Sequence, residues 1–385
     1  MPAQPSNNEP PGPVGDATPR PSTSPPPPPP QQPAAAVVVV DDDDDDDHVD
    51  DPTLSANNPT VEIQGSIAAD SAETDSALGA ELASSVASLS SSILQYQLEN
   101  GRSYHSLSRG KYVLPNDEME NERLDLQHEL YVRTCQGILA LCPKGQGAQR
   151  VLDMGTGTGQ WAIDFADLHP DAEVIGVDLS PIQPDFVPPN LVFEIDDLEK
   201  EWTWTTRFDF IFARMMLGCF QDLPGMIKVA YDNLEPGGYL ELQDMALPAL
   251  SDDGTLDPDS HLAKWCKACL DAGENLGRPV FPVTEYKNYL AAAGFEDIVE
   301  VQKKWPTNTW PREREHKELG AWAYANIAGG LDGLSLAHFT RGLGWTPEET
   351  RVFCAEVRKD LKNPKIHAYW PIYFVYGRKP LRPRY

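Results

Sequence analysis

The chain has 385 residues, 41% of them hydrophobic, and a formal net charge of −28. So large an excess of acid repels polyphosphate backbones, and no basic stripe interleaved with aromatics offsets it, which disfavours direct nucleic-acid binding. The apolar run Ala34 to Val40 is far too short to span a bilayer and no basic segment leads into a signal-type apolar core, so neither a membrane span nor secretion is expected.

Residues 1–90 stand apart by composition. They hold the runs Pro25–Pro30 and Asp41–Asp47, one basic residue (Arg20), no aromatic and sixteen acids, so −15 of the total charge lies there. Such a segment cannot bury enough apolar surface to offset its chain entropy and is expected to be disordered. The aspartate run reads as a solvated tail before it reads as a dock for a basic partner. From Leu78 the pattern turns helical, with Leu82, Val86, Leu89, Ile93 and Tyr96 or Gln97 on one face. A polar, turn-rich piece follows at Glu99–His105. Next, Asn116 or Asp117 can cap a helix from about Glu118 that carries Leu124, Tyr131, Cys135 and Ile138 at helical spacing and stops before Pro143. Residues 91–145 are thus expected to form a helical cap on a domain running from 91 to 385.

The segment Val151-Leu152-Asp153-Met154-Gly155-Thr156-Gly157-Thr158-Gly159 reads as strand, tight turn and helix. Glycine at alternate positions lets a ligand approach the main chain, and the helix from about Gln160 points free amides at it. A dinucleotide fingerprint, G-x-G-x-x-G, delivers a pyrophosphate there. Here the third glycine comes one residue early, and Asp153 would repel a pyrophosphate. The acid suits a ligand with a cationic end, and S-adenosylmethionine carries an ammonium and a sulfonium, with a carboxylate for the helix amides. A redox enzyme of the same architecture is the competing reading. A second strand, Glu173 to Asp178, ends in an acid where ribose hydroxyls need an acceptor. A third, Leu191 to Ile195, runs into Asp196-Asp197-Leu198, an acid beside an apolar residue as an adenine ring requires. The expected cofactor contacts are therefore Asp153, Gly155, Thr156, Gly157, Gly159, Asp178, Leu179, Asp196, Asp197, Leu198 and Arg214.

Phe208–Ala213 is expected as a fourth strand, buried on both faces. A helix over about Leu223–Leu234 stops at the turn Glu235-Pro236-Gly237-Gly238, and Tyr239–Gln243 makes a fifth strand. Strands alternating with helices at this spacing predict a doubly wound, largely parallel sheet with its ligand beyond the carboxyl ends of the strands. Cys266 and Cys269 form a C-x-x-C on one apolar helical face without further metal ligands, so core packing is expected rather than a metal site. Six cysteines without an export signal suggest reduced thiols in the cytosol or nucleus. A helix ends at Gly294, and Ile298–Val301 and Tyr373–Tyr376 are the last strands. Between them, about residues 303–365 carry Trp305, Trp310, Trp322 and Trp345 and a helical pattern from Arg312 to Leu361. This insertion is expected to act as a lid over the strand ends or to buttress the sheet edge. The basic cluster Arg378–Arg384 reads as a solvated terminus or as an aid to nuclear entry.

These residues resemble a class I S-adenosylmethionine-dependent methyltransferase in Asp153-x-Gly155-x-Gly157-x-Gly159, Asp178, Asp197 and Leu234–Gly238. Within that class the chain resembles the fungal LaeA-like methyltransferases in Glu99–His105, Leu114–Glu118, Val177–Pro184, Phe193–Asp197 and Phe212–Met215. The resemblance covers roughly Tyr96 to the C-terminus. It implies a Rossmann-like sheet of seven strands, the last antiparallel, and S-adenosylmethionine as cofactor. It also implies either a pathway enzyme methylating a small metabolite or a nuclear regulator of secondary metabolism acting with velvet-type protein partners.

Methyl transfer is an in-line displacement with a built-in leaving group, so positioning is the protein's main task. A high-pKa hydroxyl acceptor would benefit from a general base, for which His105, Tyr104 and His128 are the candidates, each with a structural reading beside it. Arg214 can hold an anionic substrate or the cofactor carboxylate. The Asn/Asp-Pro-Pro-aromatic clamp of enzymes that methylate nucleic-acid nitrogen is absent after the fourth strand, where Ala213-Arg214-Met215-Met216 stands. A small-molecule acceptor, methylated on oxygen, is the favoured expectation.

Overall fold

The computed structural model describes residues 96–105, 107, 108 and 110–381. The expected disordered tail and the helical pattern up to Ile93 lie outside the described residues. Gln97, expected on that helix, is instead extended: Gln97–Glu99 (β1) pairs antiparallel with Arg102–Tyr104 (β2). The turn between them explains the difference, since Asn100 and Gly101 both take positive φ (53° and 82°), the two-residue geometry that matches strand twist. Asp117 then caps Glu118–Thr134 (α1), its carboxylate accepting from the Glu120 amide at 3.2 Å. Ile138, expected on the buried face of this helix, is 54% exposed. The helix ends at Thr134, and the chain reverses through Gln136 and Gly137, both at positive φ. The expected helical cap is therefore a hairpin, one long helix and a 3-10 turn at Pro143–Gly145.

The main sheet is assembled from Arg150–Met154 (β3), Glu173–Asp178 (β4), Leu191–Ile195 (β5), Phe208–Arg214 (β6), Leu234–Met245 (β7), the two-residue Leu250–Ser251 (β8), Glu296–Pro306 (β9) and Ala368–Arg378 (β10). Its order is β5-β4-β3-β6-β7-β10-β9, with β8 alongside the start of β10. The first five of these strands are parallel to their neighbours, whereas β10 runs antiparallel to β7, β8 and β9. This is a doubly wound α/β sheet of seven principal strands, the last antiparallel. The turn expected at Glu235–Gly238 lies inside β7: Leu234 pairs with Phe208 and Tyr239 with Phe210, and the residues between form a register shift. The glycines there permit a bulge that bends the strand without ending it.

Alternation along the buried strands divides the core. Val151, Phe210 and Phe212 face Gln160–Leu168 (α2), where Trp161 stacks on Phe212 at 3.7 Å between centroids. Leu152, Met154, Ile211 and Ala213 point the other way, into the core shared with Leu223–Asn233 (α3) and Tyr286–Ala293 (α5). At the opposite edge of the sheet, Trp370, Ile372 and Phe374 meet α1, His261–Asn275 (α4) and the two inserted helices, Arg314–Gly342 (α6) and Pro347–Lys362 (α7). Cys266 and Cys269 are buried in this core on α4.

Tryptophans of β9, the loop after it and α6 tie this side of the sheet together. Trp305 Nε1 donates to Thr134 Oγ1 at 2.7 Å, Trp310 Nε1 donates to the Ala368 carbonyl at 2.8 Å, and the Arg133 guanidinium lies 4.4 Å over Trp322. A buried network joins α1 to α6: Arg123 donates to Glu120 Oε1 at 2.7 and 3.0 Å and to Asn326 Oδ1 at 2.8 Å. No described helix is long and apolar enough to cross a membrane.

Candidate active site

The glycine loop leaves β3 at its carboxyl end. Gly155, Gly157 and Gly159 all take positive φ (68°, 58° and 84°), backbone that side chains disfavour. The amides of Gly155 and Thr156 both donate to the Val177 carbonyl at 2.9 Å, which ties the loop to the end of β4. A Cβ on Gly155 would sit 2.6 Å from Met216 Sδ. Gly159 serves another purpose. It is the residue before α2, and a Cβ there would meet the Phe193 ring at 2.3 Å, so its bareness lets helix and strand pack closely.

Two hollows meet over this loop. One, of about 660 Å³, is lined by Lys111, Tyr112, Asp178, Leu179, Asp196, Asp197 and Leu198 among others. The second, of about 430 Å³, is lined by Leu124, Gln127, His128, Asp153, Thr156, Gln160 and Trp161 among others. Gly155, Gly157, Arg214 and Met215 wall both, so the two form one elongated cleft.

Two acids face this cleft, Asp153 buried and Asp178 partly buried. Asp153 accepts from Thr156 Oγ1 at 2.6 Å, and burial pushes its carboxyl up to about 7 against the pull of that hydrogen bond and of Arg214. Asp178 accepts from the amides of Gly157 and Ser180, each at 2.9 Å, and burial again raises its pKa. Neither takes part in a salt bridge among the described residues.

Asp197 is engaged differently. Its Oδ2 accepts from Lys111 Nζ at 2.5 Å and from Ser108 Oγ at 2.7 Å, so despite burial its pKa is lowered. The neighbouring Asp196 is exposed, with Oδ1 accepting from the Asp197 amide at 2.7 Å.

Arg214 ends β6 on the floor of the cleft. It donates from Nε to Gln243 Oε1 at 2.9 Å, its Nη1 lies 3.2 Å from His128 Nδ1, and its guanidinium lies 4.4 Å over Tyr131. His128 Nε2 lies 2.9 Å from Asp164 Oδ2, which places the ring proton on Nε2 and leaves Nδ1 to accept from Arg214. His105 is buried, its Nδ1 facing the Leu107 carbonyl at 2.6 Å and its Nε2 the Tyr112 carbonyl at 3.1 Å. Tyr104 is buried away from the cleft beneath Arg341, its hydroxyl without a partner among the described residues and its pKa pushed up to about 12 by burial. None of these three side chains offers a free basic atom to the cleft.

Two residues that shape the cleft, Lys111 on its wall and Asp244 behind it, were missed from the sequence. Lys111 bridges Asp197 and Glu199, at 2.5 and 3.1 Å, and thereby folds the segment before α1 over the cleft. Asp244, at the end of β7, accepts from the Met216 amide at 2.8 Å and from the Tyr286 hydroxyl at 2.9 Å, fixing the loop after β6. An acid directly after the expected fifth strand was the available signal. Beyond Met215, a third cavity of about 720 Å³ lies between α1, α4 and α6; it shares Tyr112, Gln127 and Met215 with the cleft and is otherwise mostly apolar.

A family model for a methyltransferase domain matches residues 126–301. The methyltransferase pytC of Aspergillus terreus is 38% identical over 327 residues, 85% of this chain and 98% of its own. The chain belongs to the fungal LaeA-like methyltransferases. A secondary metabolism regulator of Cochliobolus heterostrophus is 39% identical over 290 residues, covering 74% of this chain and 94% of its own. The protein-methionine methyltransferase laeA of Emericella nidulans is 33% identical over 293 residues, covering 75% and 78%.

S-adenosylmethionine is the cofactor of this family, and the cleft suits it. Bare main chain at Gly155 and Gly157 leaves room where a Cβ would collide or strain the turn, and Asp153 and Asp178 lack a salt-bridge partner among the described residues. A cationic ligand would offset the cost of their burial.

Proposed function

We propose that this LaeA-like methyltransferase methylates the oxygen of a small-molecule acceptor in secondary metabolism. The observation that carries the reading is the partly enclosed, mostly apolar cavity that shares Met215 with the glycine-loop cleft. A polymer would need a long open groove, whereas a recessed, mostly apolar hollow with a few polar groups suits a small ligand.

In this reading Asp153 holds the ammonium of the donor, Arg214 its carboxylate and Asp178 the ribose hydroxyls. Leu179 and Leu198 flank the adenine, and Asp196 accepts from its amino group, because Asp197 is occupied with Lys111 and Ser108. The donor supplies an activated methyl on a positively charged sulfur. The protein then has to orient the acceptor, exclude water and receive the proton the acceptor loses.

A second reading has support in the relatives named as secondary metabolism regulators, 34% and 39% identical: a regulatory methyltransferase acting through velvet-type protein partners. Incubating the purified protein with labelled donor and a metabolite extract separates the two. Label confined to low-mass products supports the first reading. Label on protein, with none in the low-mass fraction, supports the second and overturns the first.

A further inference from the structure

The third cavity holds a polar group with no assigned work. His338, on α6, lines it together with Leu217, Met245, Trp265 and Ile327, and its Nδ1 is buried without a well-formed hydrogen bond among the described residues. The Leu334 backbone, one turn earlier on the same helix, favours the charged ring, and burial opposes it. An imidazole so poorly paired in mostly apolar surroundings is costly unless a ligand pairs with it.

The other polar groups on the wall are committed or neutral. The guanidinium of Arg123 is held by Glu120 and Asn326. Burial keeps the Tyr112 phenol and the Cys269 thiol protonated by raising both pKa values. Gln127 is uncharged. No charge remains to hold an anionic acceptor.

Resting on the small-molecule reading above, we infer that this cavity takes a neutral aromatic or polycyclic acceptor with a phenolic hydroxyl, and that His338 accepts the hydroxyl proton during methyl transfer. The acceptor oxygen forms its bond to the methyl as the sulfur–carbon bond breaks, and the sulfur keeps that electron pair. The O–H bond breaks in the same step, and its proton passes to the imidazole and then to solvent. Burial, with Arg341 adding to it, pushes the His338 ring down to about 4, so it is neutral and ready to accept at physiological pH. A base this weak suffices because an oxygen taking a methyl while still protonated becomes strongly acidic.

The test uses the full chain, 2-naphthol as acceptor probe and three proteins: wild type, His338→Leu and His338→Gln. With S-adenosylhomocysteine bound, wild type is expected to bind 2-naphthol saturably by calorimetry. His338→Leu should bind it at least about fivefold more weakly, with unchanged affinity for S-adenosylhomocysteine. His338→Gln retains an acceptor atom, so binding should stay within about threefold while methyl transfer slows at least about tenfold. That deficit should shrink as pH approaches the phenolic range near ~10, where the acceptor ionises unaided. Wild type that does not bind 2-naphthol, equal binding by all three proteins, or wild-type turnover in His338→Gln would overturn the inference. Should the Leu variant misfold, the pH dependence of the Gln variant decides alone. Loss of S-adenosylhomocysteine binding in wild type would instead sink the cofactor assignment beneath it.

Discussion

Asp153 gives the cleft a pH signature. Burial holds its pKa near 7 in the folded protein, against 3.8 for an exposed aspartate. Between about pH 4 and 7 the native state keeps a proton the unfolded chain has lost, so this group's contribution to stability declines as pH rises through that window. A ligand that places an ammonium there favours the ionised acid and reverses the trend. The thermal stabilisation given by S-adenosylhomocysteine is therefore expected to be larger at pH 8 than at pH 6. In Asp153→Asn it should be smaller at pH 8 and nearly flat across the two. Thermal melts of both proteins at both values check this, and an identical ligand-induced shift in all four conditions would contradict it. The acids of the cleft were legible in the sequence because each ends a strand. The environment of each was not: Asp197 turned out to be occupied by Lys111 and Ser108, residues 86 and 89 positions away. The lone imidazole at His338 was likewise invisible, since its significance depends on what the fold leaves unpaired around it.

Among the elements, β3, β4, β5 and β6 were read nearly to their ends because they are bounded by acids, glycines and helices, whereas β7 was read short because its bulge at Glu235–Gly238 looks like a turn. The antiparallel pair β9–β10 was read short. Lys303 and Lys304 are exposed on β9, and such polarity interrupts an apolar pattern while backbone pairing continues beneath it. The inserted helices were legible as helices, and the choice between lid and buttress could not be made from their tryptophans. In the structure they do both, packing Ala323, Ile327, Val357 and Leu361 into the core with Trp370 and Phe374 of β10 and walling the third cavity with Ile327, Leu334 and His338. Gly320 on α6 offers a test of that close docking. Helix propensity alone favours alanine over glycine by about 1 kcal/mol. A Cβ at this position, however, would lie 2.1 Å from the Asn308 carbonyl oxygen. Gly320→Ala is thus expected to destabilise by ~2 kcal/mol, and urea unfolding showing a gain instead would mean that α6 is not seated as described.

At the scale of the whole molecule, the charge is unevenly distributed: −15 of −28 lies in residues 1–90. Zwitterionic S-adenosylhomocysteine feels little of a distant net field, and at physiological salt such fields fade beyond about 8 Å. A chain beginning at residue 91 is therefore expected to bind it within about twofold of full length in calorimetry at 0.15 M salt; a loss beyond about tenfold would implicate the tail in the site. The acidic segment is then free to serve solubility or partner choice, and it is there that the two functional readings part. A pathway enzyme should keep its small-molecule turnover without residues 1–90, whereas a regulator working through protein partners need not keep its partners.

The central claim is that buried acids around bare main chain hold a cationic methyl donor rather than a phosphate-linked carrier. Calorimetric titration of S-adenosylhomocysteine and of NADH into wild type and Gly157→Arg tests it most directly. The expected result is a saturable one-to-one heat for S-adenosylhomocysteine with wild type, none for NADH, and at least about a tenfold loss in the folded variant, whose arginine would fill the turn at Gly157. Binding of NADH with no response to S-adenosylhomocysteine, in protein shown to be folded, would contradict it.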